Sequence, residues 1–98
     1  MKNYLLLCGG VGGAKLALGF SKILAESNLT IAVNTGDDFK HLNLKICPDL
    51  DTVLYTLANE SDLSKGWGRA DESWEMLGAL KQLGGETWFQ LGDKDLAT

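Results

Sequence analysis

The 98 residues include only one histidine, two cysteines and one proline, and these scarcities close off several chemistries. His41 has no partner pattern around it, so no Ser/His/Asp or Cys/His catalytic set can be assembled, and a surface or locally hydrogen-bonded histidine is the expectation. Cys8 lies in an apolar run and Cys47 stands just before Pro48. Neither shows C-x-x-C or Cys/His ligand spacing, so two thiols in a reducing compartment are favoured over a disulfide. No apolar stretch approaches a membrane span. Lys2 precedes Tyr4–Cys8, but that run is too short for a secretory signal and breaks into glycines. The chain therefore reads as cytoplasmic. Basic residues are also few: 9 Lys and Arg against 13 Asp and Glu give a net charge of −4. That balance argues against nucleic acid or an anionic membrane as partner. Any phosphate must be held by backbone amides, a few cations or a metal.

What is present fits one small domain of ordinary composition, 45% apolar and 22% charged. Tyr4–Cys8 is an apolar run ending at glycine, which predicts a strand buried on both faces. After Gly12-Gly13-Ala14 a helix is expected, with Leu16, Phe20, Ile23 and Leu24 as its apolar stripe and Asn28 as its stop. Leu29–Val33 predicts a second strand, completing a right-handed βαβ unit with parallel strands. Phe39–Pro48 reads as a loop. Asp49 is then a good N-cap for a helix burying Leu50, Val53, Leu54, Leu57 and Ala58. Residues 59–69 read as a polar connection. Asp71 is expected to cap a third helix with Trp74, Leu77, Leu80 and Leu83 on its stripe, ended by Gly84-Gly85. Thr87–Leu91 predicts a third strand, with Trp74 and Trp88 in the core. Three polar clusters, Gly9–Gly13, Asn34–Asp38 and Gly92–Asp95, would then fall at strand ends, where open parallel sheets bind ligands. The chain stops on what looks like the opening of a further helix, so a fragment of a longer protein is suspected, though a native terminus can be equally abrupt.

Gly9-Gly10-Val11-Gly12-Gly13-Ala14-Lys15 matches neither G-x-G-x-x-G nor a Walker A loop. Its four glycines exceed what a tight turn needs. They let the main chain approach an anion closely at a helix N-terminus, and anion binding is favoured over a bare turn. Lys15 either meets a phosphate or faces solvent. Asn34-Thr35-Gly36-Asp37-Asp38 offers two carboxylates suited to magnesium, which commonly uses one or two carboxylates plus substrate phosphates. The same segment is equally readable as an Asn/Gly/Asp turn. Asp49 and Asp51 are explained by helix capping and dipole alone, unless they face Asp37 and Asp38, where a divalent cation would relieve the repulsion. Trp67 either stacks on a ring or tucks its loop onto the core, and Arg69 can grip a phosphate.

Taken in order, Gly9–Lys15, Val33–Asp38, Cys47–Leu57, Gly66-Trp67-Gly68, Glu86–Phe89 and Leu91–Thr98 closely resemble the 2-phospho-L-lactate transferase family of deazaflavin coenzyme synthesis. The resemblance covers nearly the whole chain. It implies an α/β, Rossmann-like three-layer fold with a mainly parallel sheet. Residues 1–98 would form the N-terminal part of a single domain that continues further in the parent protein. It also implies a magnesium-dependent transfer of a phospholactyl or phosphoenolpyruvyl-type group. The donor is a guanosine diphosphate ester, the acceptor is the terminal hydroxyl of a deazaflavin's ribityl chain, and guanosine monophosphate leaves.

Carried over by motif, Gly9, Gly10, Gly12 and Gly13 face the nucleotide phosphates, with Lys15, Asn34 and Thr35 among the substrate contacts. Asp37 is the first choice of metal ligand, followed by Asp38 and Asp49, and Asp37 also counts with Asp51 as catalytic. Asp51 and Thr52 contact the deazaflavin, Asp51 orienting the attacking hydroxyl or accepting its proton. Gln90 stands where the family often has a basic residue, and Lys94 belongs to the substrate set. Asn43 replaces a glycine common before Pro48. The resemblance leaves room for a homodimer. The alternatives are a noncatalytic nucleotide- or sugar-nucleotide-binding regulator, a dinucleotide-dependent oxidoreductase, and a fragment without activity of its own.

Overall fold

A computed structural model describes residues 2–98. The chain divides into two compact units, Met1–Gly68 and Arg69–Thr98. In the first, β1 (Tyr4–Cys8) leads into α1 (Gly10–Ile23), and β2 (Leu29–Val33) returns parallel to β1 in the register Tyr4↔Leu29 to Cys8↔Val33. This is the expected βαβ unit, an α/β architecture with a parallel sheet. β3 (Phe39–His41) and β4 (Leu44–Ile46) form an antiparallel hairpin, followed by α2 (Pro48–Leu57).

The sheet is covered on one face only, unlike the expected double burial. Leu6, Cys8, Ile31 and Val33 pack beneath Ala14, Ala17 and Val53, whereas Leu5 is 66% and Leu7 75% exposed. Along each strand inward and outward residues alternate, as one-sided packing requires. The buried face of α1 also differs from the expected stripe. Leu16 and Ile23 are exposed, and the fully enclosed positions are Ala14 and Ala17. Their small side chains let α1 approach α2 and the sheet closely, so packing distance rather than hydrophobic size selects the face. α1 stops at Ile23, with Leu24 as C-cap, and a separate 3-10 turn spans Glu26–Asn28. On α2 the inward residues are Asp49, Val53 and Tyr55, while Leu50, Leu54 and Leu57 are exposed.

The hairpin was expected as loop. Its two-residue turn places Leu42 at φ 52° and Asn43 at φ 62°, the left-handed pair that right-twisted hairpins use. Asn43 tolerates that conformation well. Leu42 does not, and it has no side-chain hydrogen bonding to compensate. Leu42→Asn is expected to stabilise the hairpin by about 1 kcal/mol, read as a raised thermal midpoint of the parent protein; an unchanged or lower midpoint counts against strain at this position. His41 is buried at 4% exposure rather than on the surface, because β3 turns it inward alongside Ile46.

The second unit contains α3 (Glu75–Gln82) and α4 (Asp93–Ala97), joined by an irregular segment. The strand expected at Thr87–Leu91 is absent from the described residues: Trp88 and Phe89 lie in a bend, and Leu91 N–H donates to Phe89 O at 3.0 Å. An apolar run becomes a strand only when a neighbouring backbone supplies its ladder. Trp88 is exposed and Trp74 stands at the margin of exposure, so neither is core.

Asp71 does not cap α3. It occupies a positive-φ turn position, and Trp74 is the N-cap. The orphan donors are met from across the unit: Asp93 accepts from Ser73 Oγ at 2.7 Å and from Glu75 and Met76 N–H at 2.9 Å each. Glu72, in return, accepts from Lys94 N–H at 2.8 Å and Asp95 N–H at 3.2 Å in the first turn of α4. Each helix start is thus capped by a carboxylate next to the other.

Hydrogen bonds from Met76 N–H, Ser73 Oγ and Glu75 N–H hold Asp93 below its ordinary value of 3.8. A carboxyl more acidic in the folded state contributes stability above its unfolded value and loses it as pH falls through the folded value. The helix signal of the second unit is expected to weaken as pH drops below about 4, and Asp93→Asn to abolish that acid step. An acid step of equal size in the variant would remove Asp93 as its cause.

Candidate active site

The first two polar clusters come together at the carboxyl ends of β1 and β2, and Asp49 joins them. Pro48 supplies the first turn of α2, where its missing N–H costs nothing. Cys47 is therefore the N-cap and Asp49 the second helical residue, not the cap. The Asp49 side chain reaches back across the sheet edge instead. Its Oδ1 accepts from Gly10 N–H at 3.2 Å and its Oδ2 from Asn34 Nδ2 at 2.8 Å. Only 7% of Asp49 is exposed. A buried carboxylate needs compensation, and Asp49 sits in the first turn of α2 while bonding the first residue of α1. Two positive helix ends therefore converge on it.

Asn34 is fixed by three bonds. Its N–H donates to Cys8 O at 2.9 Å, extending the pairing of β1 and β2 by one residue. Its Nδ2 donates to Asp49, and its Oδ1 accepts from Gly36 N–H at 3.1 Å. Asp38 N–H donates to Thr35 O at 3.1 Å, so 35–38 is a closed turn. Asp37 is exposed on it and Asp38 half-buried. The turn reading of this segment is realised.

The glycines have separate roles. Gly10 adopts φ 68°, which a side chain would oppose, and its amide is already engaged by Asp49. A Cβ on Gly13 would lie 2.9 Å from Cys8 Sγ and 3.3 Å from Cys8 Cα, so Gly13 serves helix-to-strand contact. Gly12 has nothing within 4 Å of where a Cβ would stand, leaving open space beside the start of α1. Lys15 is exposed on the same helix. A shallow cavity of about 390 Å³, lined by Leu7, Cys8, Gly9, Ala32, Val33 and Asn34, opens at these strand ends.

Thr52 Oγ1 donates to Pro48 O at 2.8 Å within α2, so toward a ligand it acts as an acceptor. Asp51 lies one residue before it, half-buried. Both cysteines are free thiols, held above the usual thiol range. Desolvation raises Cys8, followed by the charge of Asp49. For Cys47 the causes are desolvation, the hydrogen bond to and charge of Asp38, and the charge of Asp51, against a lowering by Lys45. Both stay protonated at neutral pH and are poor nucleophiles.

Gln90 and Lys94 belong to the second unit. Gln90 is exposed, and Lys94 Nζ donates to Asp71 O. Gly92–Asp95 opens α4 rather than ending a strand. Trp67 is half-exposed with Lys65 Nζ 5.1 Å from its ring centroid, so it is not tucked into a core, and Arg69 Nη1 donates to Ala70 O at 3.3 Å. Among the described residues no three His, Cys, Asp or Glu side chains stand close enough to hold a metal ion. The link that sequence reasoning missed is the bond from Gly10 N–H to Asp49, 39 positions apart. No local pattern signals it.

The family described as "2-phospho-L-lactate transferase CofD" matches residues 5–98. A phosphoenolpyruvate transferase of Streptomyces avermitilis is 46% identical over 94 residues, covering 95% of this chain and 30% of that protein. The phosphoenolpyruvate transferase of Mycobacterium marinum is 46% identical over 105 residues, covering 95% and 32%. That of Mycobacterium tuberculosis is 42% identical over 107 residues, with the same coverage. The chain spans about a third of the length of these relatives. With the glycine loop, the Asn34 turn and the start of α2 gathered at one sheet edge, and with the match running from Leu5 to Thr98, the chain belongs to the 2-phospho-L-lactate transferase family.

Proposed function

We propose that this chain supplies the donor-phosphate and acceptor-hydroxyl part of a transferase. The enzyme moves a phosphoenolpyruvyl or phospholactyl group from a guanosine diphosphate ester to the terminal ribityl hydroxyl of a deazaflavin. The observation that carries the reading is the assembly of the glycine loop, Asn34 and Asp49 by direct hydrogen bonds at the carboxyl ends of two parallel strands. The start of α1 and the open space at Gly12 suit a phosphate. The relatives named phosphoenolpyruvate transferase favour the enolpyruvate-type donor.

In the reaction the acceptor oxygen bonds to the distal phosphorus, the bond from that phosphorus to the bridging oxygen breaks, and guanosine monophosphate leaves with the electron pair. The hydroxyl proton passes to a base, for which Asp51 in the first turn of α2 is our assignment. Thr52 Oγ1 can accept a hydrogen bond from the deazaflavin. Lys15 on α1 and Thr35 complete the proposed substrate contacts of the first unit. Asp37 and Asp38 fit magnesium, which takes one or two carboxylates alongside substrate phosphates. Asp49, the third expected ligand, already has each oxygen in a hydrogen bond, and no three such side chains stand together among the described residues, which leaves the metal to Asp37 and Asp38. Bound there, magnesium would neutralise charge developing on the phosphate oxygens.

The direct test incubates the full-length parent protein with magnesium, the deazaflavin alcohol and each of the two donors. Mass spectrometry then looks for guanosine monophosphate and the phosphodiester. Both products, lost on chelation, support the reading; donor binding with no product from either donor removes it and favours the nucleotide-binding regulator. Asp51→Ala is expected to raise the acceptor KM and lower kcat by about a hundredfold, the scale of a lost general base, with the donor KM little changed. Equal losses for both substrates would undo the assignment.

A further inference from the structure

Gly9 and the first turn of α1, residues 10–13, carry four glycines in five residues, so residue preference does little to hold this segment in one conformation. Gly9 is extended, Gly10 is left-handed, and Gly12 has no neighbour where a side chain would be. Binding an anion on such a loop would cost the entropy of ordering it, unless it is already ordered. The tie that orders it is the Asp49 carboxylate, buried, set in the first turn of α2, and bonded to Gly10 N–H on one side and Asn34 Nδ2 on the other. Asn34 is in turn fixed by Cys8 O and Gly36 N–H. Both strand-end loops therefore take their positions from one side chain.

We propose that Asp49 is a positioning residue: it anchors the glycine loop through Gly10 and the acidic turn through Asn34, and so sets donor affinity without contacting the donor. The affinity part rests on the function proposed above; the anchoring part does not. The carboxylate also engages the Gly10 amide, so the phosphate is left to the remaining amides at the start of α1.

The geometry offers a swap that separates anchoring from ligation. In Asp49→Asn the new carboxamide cannot accept from both Gly10 N–H and Asn34 Nδ2, so one bond of the three is lost. In the double variant Asn34→Asp with Asp49→Asn, residue 34 accepts from Gly36 N–H and from the residue 49 amide, and residue 49 accepts from Gly10 N–H. All three bonds return, with the charge moved to the neighbouring position.

The experiment uses the full-length parent protein, with hydrogen exchange of the Gly10 amide measured without ligand and the dissociation constant of the guanosine diphosphate ester measured with magnesium. In Asp49→Asn we expect exchange of the Gly10 amide to accelerate about tenfold and donor affinity to fall about tenfold, the scale of one lost hydrogen bond to a charged group. Both should recover in the double variant. Unchanged exchange in Asp49→Asn would overturn the anchoring role. Recovery of exchange without recovery of donor affinity would overturn the positioning role, since affinity would then follow the side chains at 34 and 49 themselves and not the bonds between them. If Asp49→Asn does not fold, the double variant decides alone, since restored folding and protection require the swapped bonds. A wild-type parent that binds no donor would remove the proposed function, while the exchange comparison still decides the anchoring.

Discussion

Gly13→Ala is expected to destabilise the parent protein by about 2–3 kcal/mol, near the upper range for overpacking a filled core. The added methyl would stand 2.9 Å from Cys8 Sγ and 3.3 Å from Cys8 Cα. The second of these neighbours is backbone at the carboxyl end of β1, and it cannot rotate away. α1 would have to lift from β1, opening the contacts of Ala14 and Ala17 with Val53 and the sheet. Urea unfolding measures the loss. Gly19→Ala is the control, because it lies within α1 with nothing within 4 Å of the new Cβ. That change should stabilise by up to about 1 kcal/mol through helix propensity alone. Equal effects at the two positions would show that helix-to-strand contact is not what Gly13 serves.

Asp37→Asn is expected to lower turnover of the parent protein by about a hundredfold or more, the scale of removing one group that stabilises charge in a transition state. Asp37 lies exposed on the turn that follows β2, so its replacement leaves the core intact and the thermal midpoint should move little. The loss should be accompanied by a higher magnesium requirement, because a carboxamide oxygen is a weaker ligand for a hard cation. Turnover with an unaltered magnesium dependence would take Asp37 out of the metal set. A matching fall in midpoint would instead mean that the turn itself had collapsed.

Much of the first unit was readable because its signals are local. An apolar run closed by glycine, a helix, and a second apolar run within thirty-odd residues leave few arrangements besides parallel strands. The residues of the candidate site were readable for the same reason. Glycines at a helix start and carboxylates after a strand carry their chemistry wherever they sit. Their connections were not readable. Asp49 has the sequence appearance of a cap, and only Pro48 taking the first helical position moves it to a place where it can reach Gly10.

Other departures share a cause in partners that lie far along the chain. The short β3 and β4 carry no glycine turn to announce them; Leu42 and Asn43 supply it with positive φ. α3 and α4 exchange Asp93 and Glu72 as caps over roughly twenty residues, beyond any capping pattern. Thr87–Leu91 has the composition of a strand but forms no ladder among the described residues. Residue chemistry and backbone preference therefore determined where strands, helices and reactive groups begin. Which face of α1 is buried, which carboxylate caps which helix, and what Asp49 holds were decided by tertiary contact. The physical reason is that close packing and hydrogen-bond satisfaction depend on atoms brought near from distant positions, and no local stretch of chain encodes those distances.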